Sequence, residues 1–301
     1  MEDAKPCVAT IGFFDGVHRG HCYLIDQVKE LAAERGLSTC LISFPVHPRK
    51  VMQADYQPQL LSTFAEKRTR LLRTGVDRCV MLPFTSELSE LSAYDFMKGV
   101  LRNQLNVRIL VVGYDHRFGH NRAEGFADYV RYGEELGMAV MQARACVVDG
   151  INVSSSVIRR YLLQGDVVSA NKCLGYGYQL EGRVASGYRV GRKLGFPTAN
   201  MIESDPDKLI PANGVYAVWA KLDGKVYKGM LNIGICPTVG HDNKRTIEVH
   251  ILHFSEDIYQ RNLQLEFVQR IRDERRFDNL SDLSAQLALD AEQVDKLLDN
   301  N

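Results

Sequence analysis

No apolar run in this 301-residue chain approaches the ~20 residues needed to span a bilayer. Charge of one sign is also missing. The 37 Lys and Arg residues balance 37 Asp and Glu, which speaks against a broad polyanion-binding surface and leaves room only for a local basic pocket. The seven cysteines (Cys7, Cys22, Cys40, Cys79, Cys146, Cys173 and Cys236) include no CxxC pair. An odd, scattered set of this kind reads as reduced thiols rather than a disulfide framework or a thiolate metal site. There is no GxxxxGK[ST] loop, so a P-loop nucleotide enzyme is excluded. No internal repeat and no low-complexity tract interrupts the chain. The segment MEDAKPC carries no basic, apolar, small-residue leader pattern. The expectation is a cytoplasmic protein with neither a membrane nor a nucleic-acid partner.

What is present is enough apolar residue for two ordinary domains: 45% of the chain is hydrophobic and 25% charged, the balance of a globular protein. Two rhythms divide it. From Val8 to about Arg160, the apolar runs VATIG, STCLISF, RCVMLPF, RILVVG and MAVMQARACV alternate with amphipathic stretches. Leu24, Val28 and Leu31 recur at helical spacing, and Thr63 with Glu66 forms a capping box on a helix that closes near Gly75. AYDFMKGVLRNQL and GFADYVRYGEELG supply further helices. Alternating strands and helices call for a parallel sheet with helices on its faces. After Gly177 the runs YQLEGRVASG, GVYAVWAKL, KVYKGMLNIG, RTIEVHILHF and LQLEFVQRI are β-rich, with Asp223-Gly224 as a two-residue hairpin signal. A helix from Ser281 to about Leu298 closes the chain. Five or six antiparallel strands and one helix suggest a small barrel.

The stretch TIGFFDGVHRGH, Thr10 to His21, sits where the first strand gives way to the first helix. A helix N-terminus offers free N–H groups and the positive end of a dipole to an anion. Gly12, Gly16 and Gly20 allow close backbone approach. His18 and His21, three residues apart, can face one phosphate and stabilise charge that develops on it. Taken singly, the two histidines could equally be polar residues of an ordinary helix start.

This stretch resembles the HxGH signature of nucleotidyltransferases, written here His18-Arg19-Gly20-His21. More narrowly, its GxFDGxHxGH pattern is similar to that of prokaryotic bifunctional riboflavin kinase/FMN adenylyltransferases. Further elements follow in the same order. FPVHP spans Phe44 to Pro48, VVGYDHRFGHNRAEG holds Asp115, Arg117, Phe118, Gly119, Arg122 and Gly125, and VSSSVIRRYLLQGDV holds Ser154, Ser155, Ser156 and Arg159. In the second half, GYRVGRKLGFPTANM (Gly187 to Met201), NIGICPT, TIEVHILHF and LEFVQRIRDERRF match the flavokinase part of the family. Phe13, Pro45, Val46, His116 and Cys236 depart from its usual residues, and Ser156 replaces a threonine. The resemblance covers about Pro6 to Leu298.

The resemblance implies an α/β fold: a Rossmann-like nucleotidyltransferase domain (1–176) with a parallel sheet, followed by a riboflavin kinase-like antiparallel β-barrel with a terminal helix (177–301). It implies two reactions. The barrel would transfer the γ-phosphoryl group of Mg²⁺-ATP to riboflavin, giving FMN, and the first domain would join FMN to AMP from a second ATP, giving FAD and pyrophosphate. His18, His21 and Glu248 are the expected catalytic residues. Nucleotide contacts are expected from Gly12, Phe14, Asp15, Gly16, Gly20, Ser154, Ser155, Ser156 and Arg159 in the first domain, and from Gly187, Arg189, Gly191, Arg192, Lys193 and Gly195 in the second. His47, Asp115, Arg117, Phe118, Asn232 and Arg272 are expected against flavin, and Thr198 and Asn200 against Mg²⁺. Hard Mg²⁺ takes such oxygen ligands, and a carboxylate such as Glu248 is a credible base toward a primary hydroxyl. The residues alone also permit plainer readings, with FPTAN as a turn, Glu248 as the solvent face of a strand and the serines as helix caps. The alternative function is a monofunctional HxGH adenylyltransferase whose barrel binds flavin without turnover.

Overall fold

The computed structural model describes residues 4–53, 55–114, 116–120, 123–185, 195–235 and 245–299. Its described chain forms two compact units, 1–155 and 156–301.

The first unit is built around β1 (Cys7–Ile11), whose CVATI sequence is buried at every position, as a strand covered on both faces requires. It pairs in parallel with β2 (Ser38–Ser43), Cys7 opposite Ser38 and Ile11 opposite Ile42. On its other side lies β4 (Val107–Val112), also parallel. With β3 (Arg78–Met81) and β5 (Ala139–Gln142) outside them, the order is β3-β2-β1-β4-β5. The chain therefore reverses its direction of growth across β1, and the crevice at the carboxyl end of β1 is the topological switch point where such sheets bind ligands. The TIGFFDGVHRGH stretch lies at that end.

The pleat decides what covers each face. Val8 points with Leu41, Ile109 and Val111 toward Leu24, Ile25, Val28 and Ala32 of α1 (Arg19–Arg35). Cys7, Ala9 and Ile11 point the other way, into a cluster with Phe96, Met97, Val100 and Leu101. After the short α2 (Pro48–Met52) comes α3 (Phe64–Leu72). The expected capping box at its start forms, the Glu66 N–H donating to Thr63 Oγ1 at 3.2 Å and the Thr63 N–H to Glu66 Oε2 at 2.9 Å. A single turn, α4 (Ser86–Glu90), precedes α5 (Ala93–Phe96), which widens into π-helical Met97–Gln104, so the expected helix AYDFMKGVLRNQL forms with two pitches. α6 (Phe126–Leu136) covers β5. The run MAVMQARACV divides into β5 and β6 (Val147–Val148), and β6 forms a small hairpin with β7 (Ile151–Asn152).

The second unit begins with α7 (Ser155–Gln164) and α8 (Val167–Leu174) and continues as β8 (Gln179–Ala185), β9 (Ala199–Glu203), β10 (Gly214–Leu222), β11 (Lys225–Ile235), β12 (Arg245–Ile251) and β13 (Asn262–Arg272). The six strands close a barrel in the order β10-β11-β12-β9-β8-β13, every pair antiparallel. Asp223 (φ 46°) and Gly224 (φ 79°) are both left-handed at the β10–β11 turn, which is the type I′ geometry that the Asp-Gly pair announces. β9 falls in the FPTANM stretch, and it closes the barrel between β8 and β12. The helices ahead of Gly177 pack with the barrel: Ala212 N–H donates to Leu162 O at 2.9 Å, and Asn171 Nδ2 to Phe267 O at 2.8 Å. Compactness therefore changes at Ser155/Ser156, ahead of the 176/177 division expected from sequence rhythm.

The terminal helix α9 (Leu280–Asp299) lays Val294 and Leu298 on Val215, Ala217, Met230 and Leu252 of the barrel. Its Asp290 is 2% exposed and holds Arg272 of β13 through two guanidinium nitrogens, Nε at 2.9 and 3.0 Å and Nη2 at 2.7 Å, while Gln286 Nε2 donates to the same carboxylate at 2.8 Å. Removing one partner of a buried ion pair strands the other. Asp290→Ala should therefore cost about 3 kcal/mol in urea-induced unfolding of the barrel, toward the lower end for such pairs because Arg272 stays partly wet.

Candidate functional site

In the first unit the chain leaves β1 through a bend of unusual backbone. Phe14 (φ 55°), Gly16 (φ 78°) and Val17 (φ 42°) are all left-handed, and for a β-branched valine this is a strained conformation. The strain is held by Asp15. Its carboxylate, 3% exposed, accepts from Leu61 N–H at 2.9 and 3.0 Å, from Ser62 N–H at 3.1 Å and from Ser62 Oγ at 3.3 Å. Gly16 N–H donates back to Ser62 Oγ at 2.9 Å. The Asp15 side chain, expected against nucleotide, is thus engaged by the 61–62 loop, while its backbone meets another segment: Ser155 Oγ donates to Asp15 O at 3.2 Å. Phe14, also expected at the nucleotide, is 3% exposed and packs edge-on to His21 with centroids 5.1 Å apart.

His18 caps α1, its Nδ1 accepting from the His21 N–H at 3.3 Å. That acceptor role leaves the proton of a neutral His18 ring on Nε2. The two imidazoles stack with centroids 3.6 Å apart and planes 18° from parallel. Gly20 makes this stack possible, because a Cβ there would stand 2.9 Å from Val153 O and 3.1 Å from the His18 ring. Burial, followed by the charges of His18, His116 and Lys67, holds His21 well below the usual histidine range. His21 Nδ1 is buried without a hydrogen-bond partner among the described residues. A stacked imidazole pair with a buried orphan nitrogen at a helix N-terminus is arranged for an anionic ligand.

The other expected residues of this half divide. His47 caps α2, accepting from Arg49 N–H at 3.2 Å, and its ring lies 4.8 Å from Phe13 and 5.3 Å from Tyr56. Phe118 stacks on Tyr129 at 4.2 Å and is tied to it by a 3.0 Å N–H to hydroxyl bond, so one ring face is already used. Arg117 is exposed. Ser156 and Arg159 follow Ser155 on α7, in the second unit. Gly12 and Ser154 lie at the ends of β1 and of the 153–155 connection. Asp115 and Arg122 lie outside the described residues, as do Gly187, Arg189, Gly191, Arg192, Lys193 and Cys236.

In the barrel, alternation on β12 buries Ile247, Val249 and Ile251 and turns Glu248 and His250 the other way. Glu248 stands directly opposite Asn200 of β9 and Asn232 of β11, so three expected residues share one row across three strands. Thr198 Oγ1 lies 3.5 Å from Glu248 Oε2. His250 Nδ1 meets the Pro197 carbonyl at 2.9 Å and anchors the backbone just ahead of Thr198. Gly195 (φ 85°) turns the chain into this segment. Burial raises the Glu248 carboxyl above its usual range, opposed by hydrogen bonds from Thr198 and Thr246. Two cavities meet at Thr198. One, of about 400 Å³, runs from Thr198 and Val249 to Phe254, Asp257 and Tyr259. The other, of about 320 Å³, holds Glu248, Asn232 and Arg272 between Phe196 and Phe277. Hydroxyl, amide and carboxylate oxygens at this junction suit a hard divalent ion that takes its remaining ligands from phosphate and water. Among the described residues no cluster of three His, Cys, Asp or Glu side chains could hold a metal by itself.

Sequence reasoning missed the 254–259 wall, His250 as an anchor and the contribution of Leu283 and Leu287 of α9 to the second cavity. The shared parity of Glu248 and His250 was a usable signal for the second of these. The walls are joined only by barrel closure.

A parallel α/β unit with a ligand crevice at its switch point, followed by a closed antiparallel barrel with two cavities, defines a two-module protein of small-molecule chemistry. The FAD synthetase family model matches residues 1–157, and the riboflavin kinase model matches 174–298. A bifunctional riboflavin kinase/FMN adenylyltransferase of Pseudomonas fluorescens is 38% identical over 286 residues, covering 95% of this chain and 91% of that one. Its Escherichia coli K12 counterpart is 35% identical, covering 94% and 90%. A solved chain from Streptococcus pneumoniae, described as a macrolide-efflux protein, superposes with a TM-score of 0.86 at 29% identity, covering 97% of this chain and 94% of that one. No helix among the described residues is long and apolar enough to cross a membrane. The chain belongs to the bifunctional riboflavin kinase/FMN adenylyltransferase family.

The strained bend makes a stability prediction. Asp15→Asn replaces a carboxylate oxygen with an amide that must meet the N–H groups of Leu61 and Ser62. It should cost about 2 kcal/mol, the range for a hydrogen bond to a charged group, read by urea unfolding.

Proposed function

We propose that the family's two reactions are divided between two domains of this chain, adenylylation in 1–176 and riboflavin phosphorylation in 177–301. The protein is a bifunctional enzyme of FAD formation, phosphorylating riboflavin to FMN and adenylylating FMN to FAD. What supports the division is a stacked His18–His21 pair in one unit and a half-buried Glu248 at the junction of two cavities in the other.

In the barrel, riboflavin occupies the cavity between Phe196 and Phe277, whose aromatic walls and Leu283 and Leu287 suit a flat ring system. ATP occupies the neighbouring cavity bounded by Phe254, Asp257 and Tyr259. Glu248 takes the proton of the ribityl hydroxyl as that oxygen bonds to the γ-phosphorus and the bridging oxygen leaves with ADP. A carboxyl raised by burial is better matched to this task at neutral pH than an exposed one. Thr198 and Asn200 hold Mg²⁺, which neutralises phosphate charge when bound. His250 keeps the Pro197–Thr198 backbone in place for that contact.

In the first unit, the FMN phosphate attacks the α-phosphorus of ATP and pyrophosphate leaves. The nucleophile is already an anion, so no base is needed. His18, through Nε2–H, and His21 donate to the α-phosphate oxygens as charge builds. The N-terminus of α1 and the hydroxyls of Ser154 and Ser155 hold the phosphates of the leaving group. His47, Arg117 and Phe118 lie toward the flavin. Asp15 acts through the bend that it ties down. We place the activity in the cytoplasm, in keeping with the six cysteines that are free among the described residues.

The test separates the halves. The wild-type protein with riboflavin, ATP and Mg²⁺ should yield FMN and FAD, resolved by chromatography. His21→Ala should stall at FMN, losing about 10²–10³-fold in adenylylation, as for removal of one charge-stabilising donor. Glu248→Gln should lose about 10²–10⁴-fold in phosphorylation, the range for general-base removal, yet still convert supplied FMN to FAD. The base is active when ionised, so wild-type phosphorylation should fall as pH drops through a value above the ordinary carboxylate range. That acid limb should be absent from the residual activity of Glu248→Gln. Loss of both reactions in either single variant that remains folded contradicts the division.

A further inference from the structure

Lys67 belongs to none of the motifs above, and it is 1% exposed. A charge so placed must be compensated. Its direct contacts come from the bend after β1 and from the residue that follows β2. Nζ donates to the Phe44 carbonyl at 2.7 Å. It also sits 3.5 Å from the centroid of the Phe13 ring, well inside cation–π range. That ring in turn meets His47 edge-on at 4.8 Å, and the Phe13 carbonyl accepts from Ser43 Oγ at 3.2 Å. The Asp15 carboxylate supplies the opposite charge.

The ammonium therefore lies beneath the bend and joins three separate pieces of chain: the Phe13–Asp15 bend, the Phe44–His47 end of β2 and the helix α3 that carries Lys67 itself. A core-filling lysine would have no reason to meet all three at the floor of the anion site. The contact gives Phe13 a definite part in the bend: its aromatic ring offers the buried cation a face to rest on.

Resting on the proposed adenylylation of FMN by the first unit, we infer that Lys67 is a positioning residue for that step: its ammonium ties the Phe13–Asp15 bend to the end of β2 and so sets where His18 and His21 stand against the phosphates. It touches no substrate. The charged and titratable groups around it are Asp15 on the bend, His21 on α1 and Cys79 on β3, with Arg68 beside it on α3 facing the same Cys79. Burial pushes Lys67 down to about 8, against the opposing pull of Asp15 and Cys79. The ammonium is thus the major form at neutral pH and lost as pH rises through that value, and adenylylation should fall with it.

The test uses the full-length enzyme, with its own riboflavin kinase activity as an internal control. Lys67→Met keeps length and apolar bulk, and the Asp15 carboxylate that loses its opposite charge keeps the hydrogen bonds from Leu61 and Ser62, which limits the stability cost of removing one charge of a buried pair. FMN adenylylation by Lys67→Met should fall about a hundredfold, the scale of a small misplacement of reacting groups, carried by kcat with the KM values for FMN and ATP within about threefold of wild type. Riboflavin phosphorylation should stay within about twofold, and Lys67→Arg should recover part of the loss. The wild-type adenylylation profile should decline through pH of about 8, and Lys67→Met should lack that alkaline limb. Adenylylation by Lys67→Met within about threefold of wild type overturns the inference, as does an alkaline limb that persists in that variant. A wild-type protein that forms no FAD from FMN overturns instead the function on which the inference rests. Should Lys67→Met fail to fold, the pH profiles of wild type and Lys67→Arg decide: a decline near pH 8 that moves up with the arginine supports the role, and a profile flat to pH 10 refutes it.

Discussion

Gly20 has no room for a side chain, and the first active unit depends on that. A methyl group there would press on the Val153 carbonyl and on the His18 ring together. With hydrogen alone, the chain before α7 can come down on the first turn of α1, and the two imidazoles can stack at 3.6 Å. The bend that feeds this turn is costly in itself, with Phe14 and Val17 both left-handed. A buried carboxylate and a buried ammonium, Asp15 and Lys67, offset that cost through the 61–62 loop and the end of β2. Strain on one side of the site is matched by charge-assisted hydrogen bonds on the other.

The barrel solves a different problem with strand parity. The same alternation that sends Ile247, Val249 and Ile251 inward sends Glu248 and His250 outward. Register then brings Asn200 and Asn232 to either side of Glu248. The carboxylate is desolvated enough to be raised above its usual range but remains at a cavity edge, where a hydroxyl can reach it. α9 completes the wall, and the Arg272–Asp290 pair fixes that helix to β13. Arg272 was expected to contact flavin. It lines the cavity, and its guanidinium is held in place there by Asp290.

How much of this could be read in advance depended on distance along the chain. Short-range chemistry was legible: the Thr63–Glu66 capping box, the Asp223-Gly224 turn, the helical spacing of α1 and the glycines of the opening bend all form as their residue types dictate. The parallel sheet and the antiparallel barrel followed from two rhythms of hydrophobicity. Long-range partners were not legible. β9 is five residues long and carries Asn200 and Glu203, so no clean apolar alternation betrays it; it becomes a strand because β8 and β12 need a neighbour. The roles of Asp15 and Lys67 rest on contacts 46 and 23 residues away. A charge in an amphipathic helix looks solvated until the fold buries it.

The central claim is that one chain carries two chemically independent sites. Complementation tests it most directly. Equimolar His21→Ala and Glu248→Gln proteins are mixed with riboflavin, ATP and Mg²⁺, and FAD is measured against each variant alone. The account predicts that the mixture makes FAD from riboflavin while neither variant does so at a comparable rate, the FMN released by one being taken up by the other. A mixture that accumulates no more FAD than the separate variants, with both proteins folded, contradicts it.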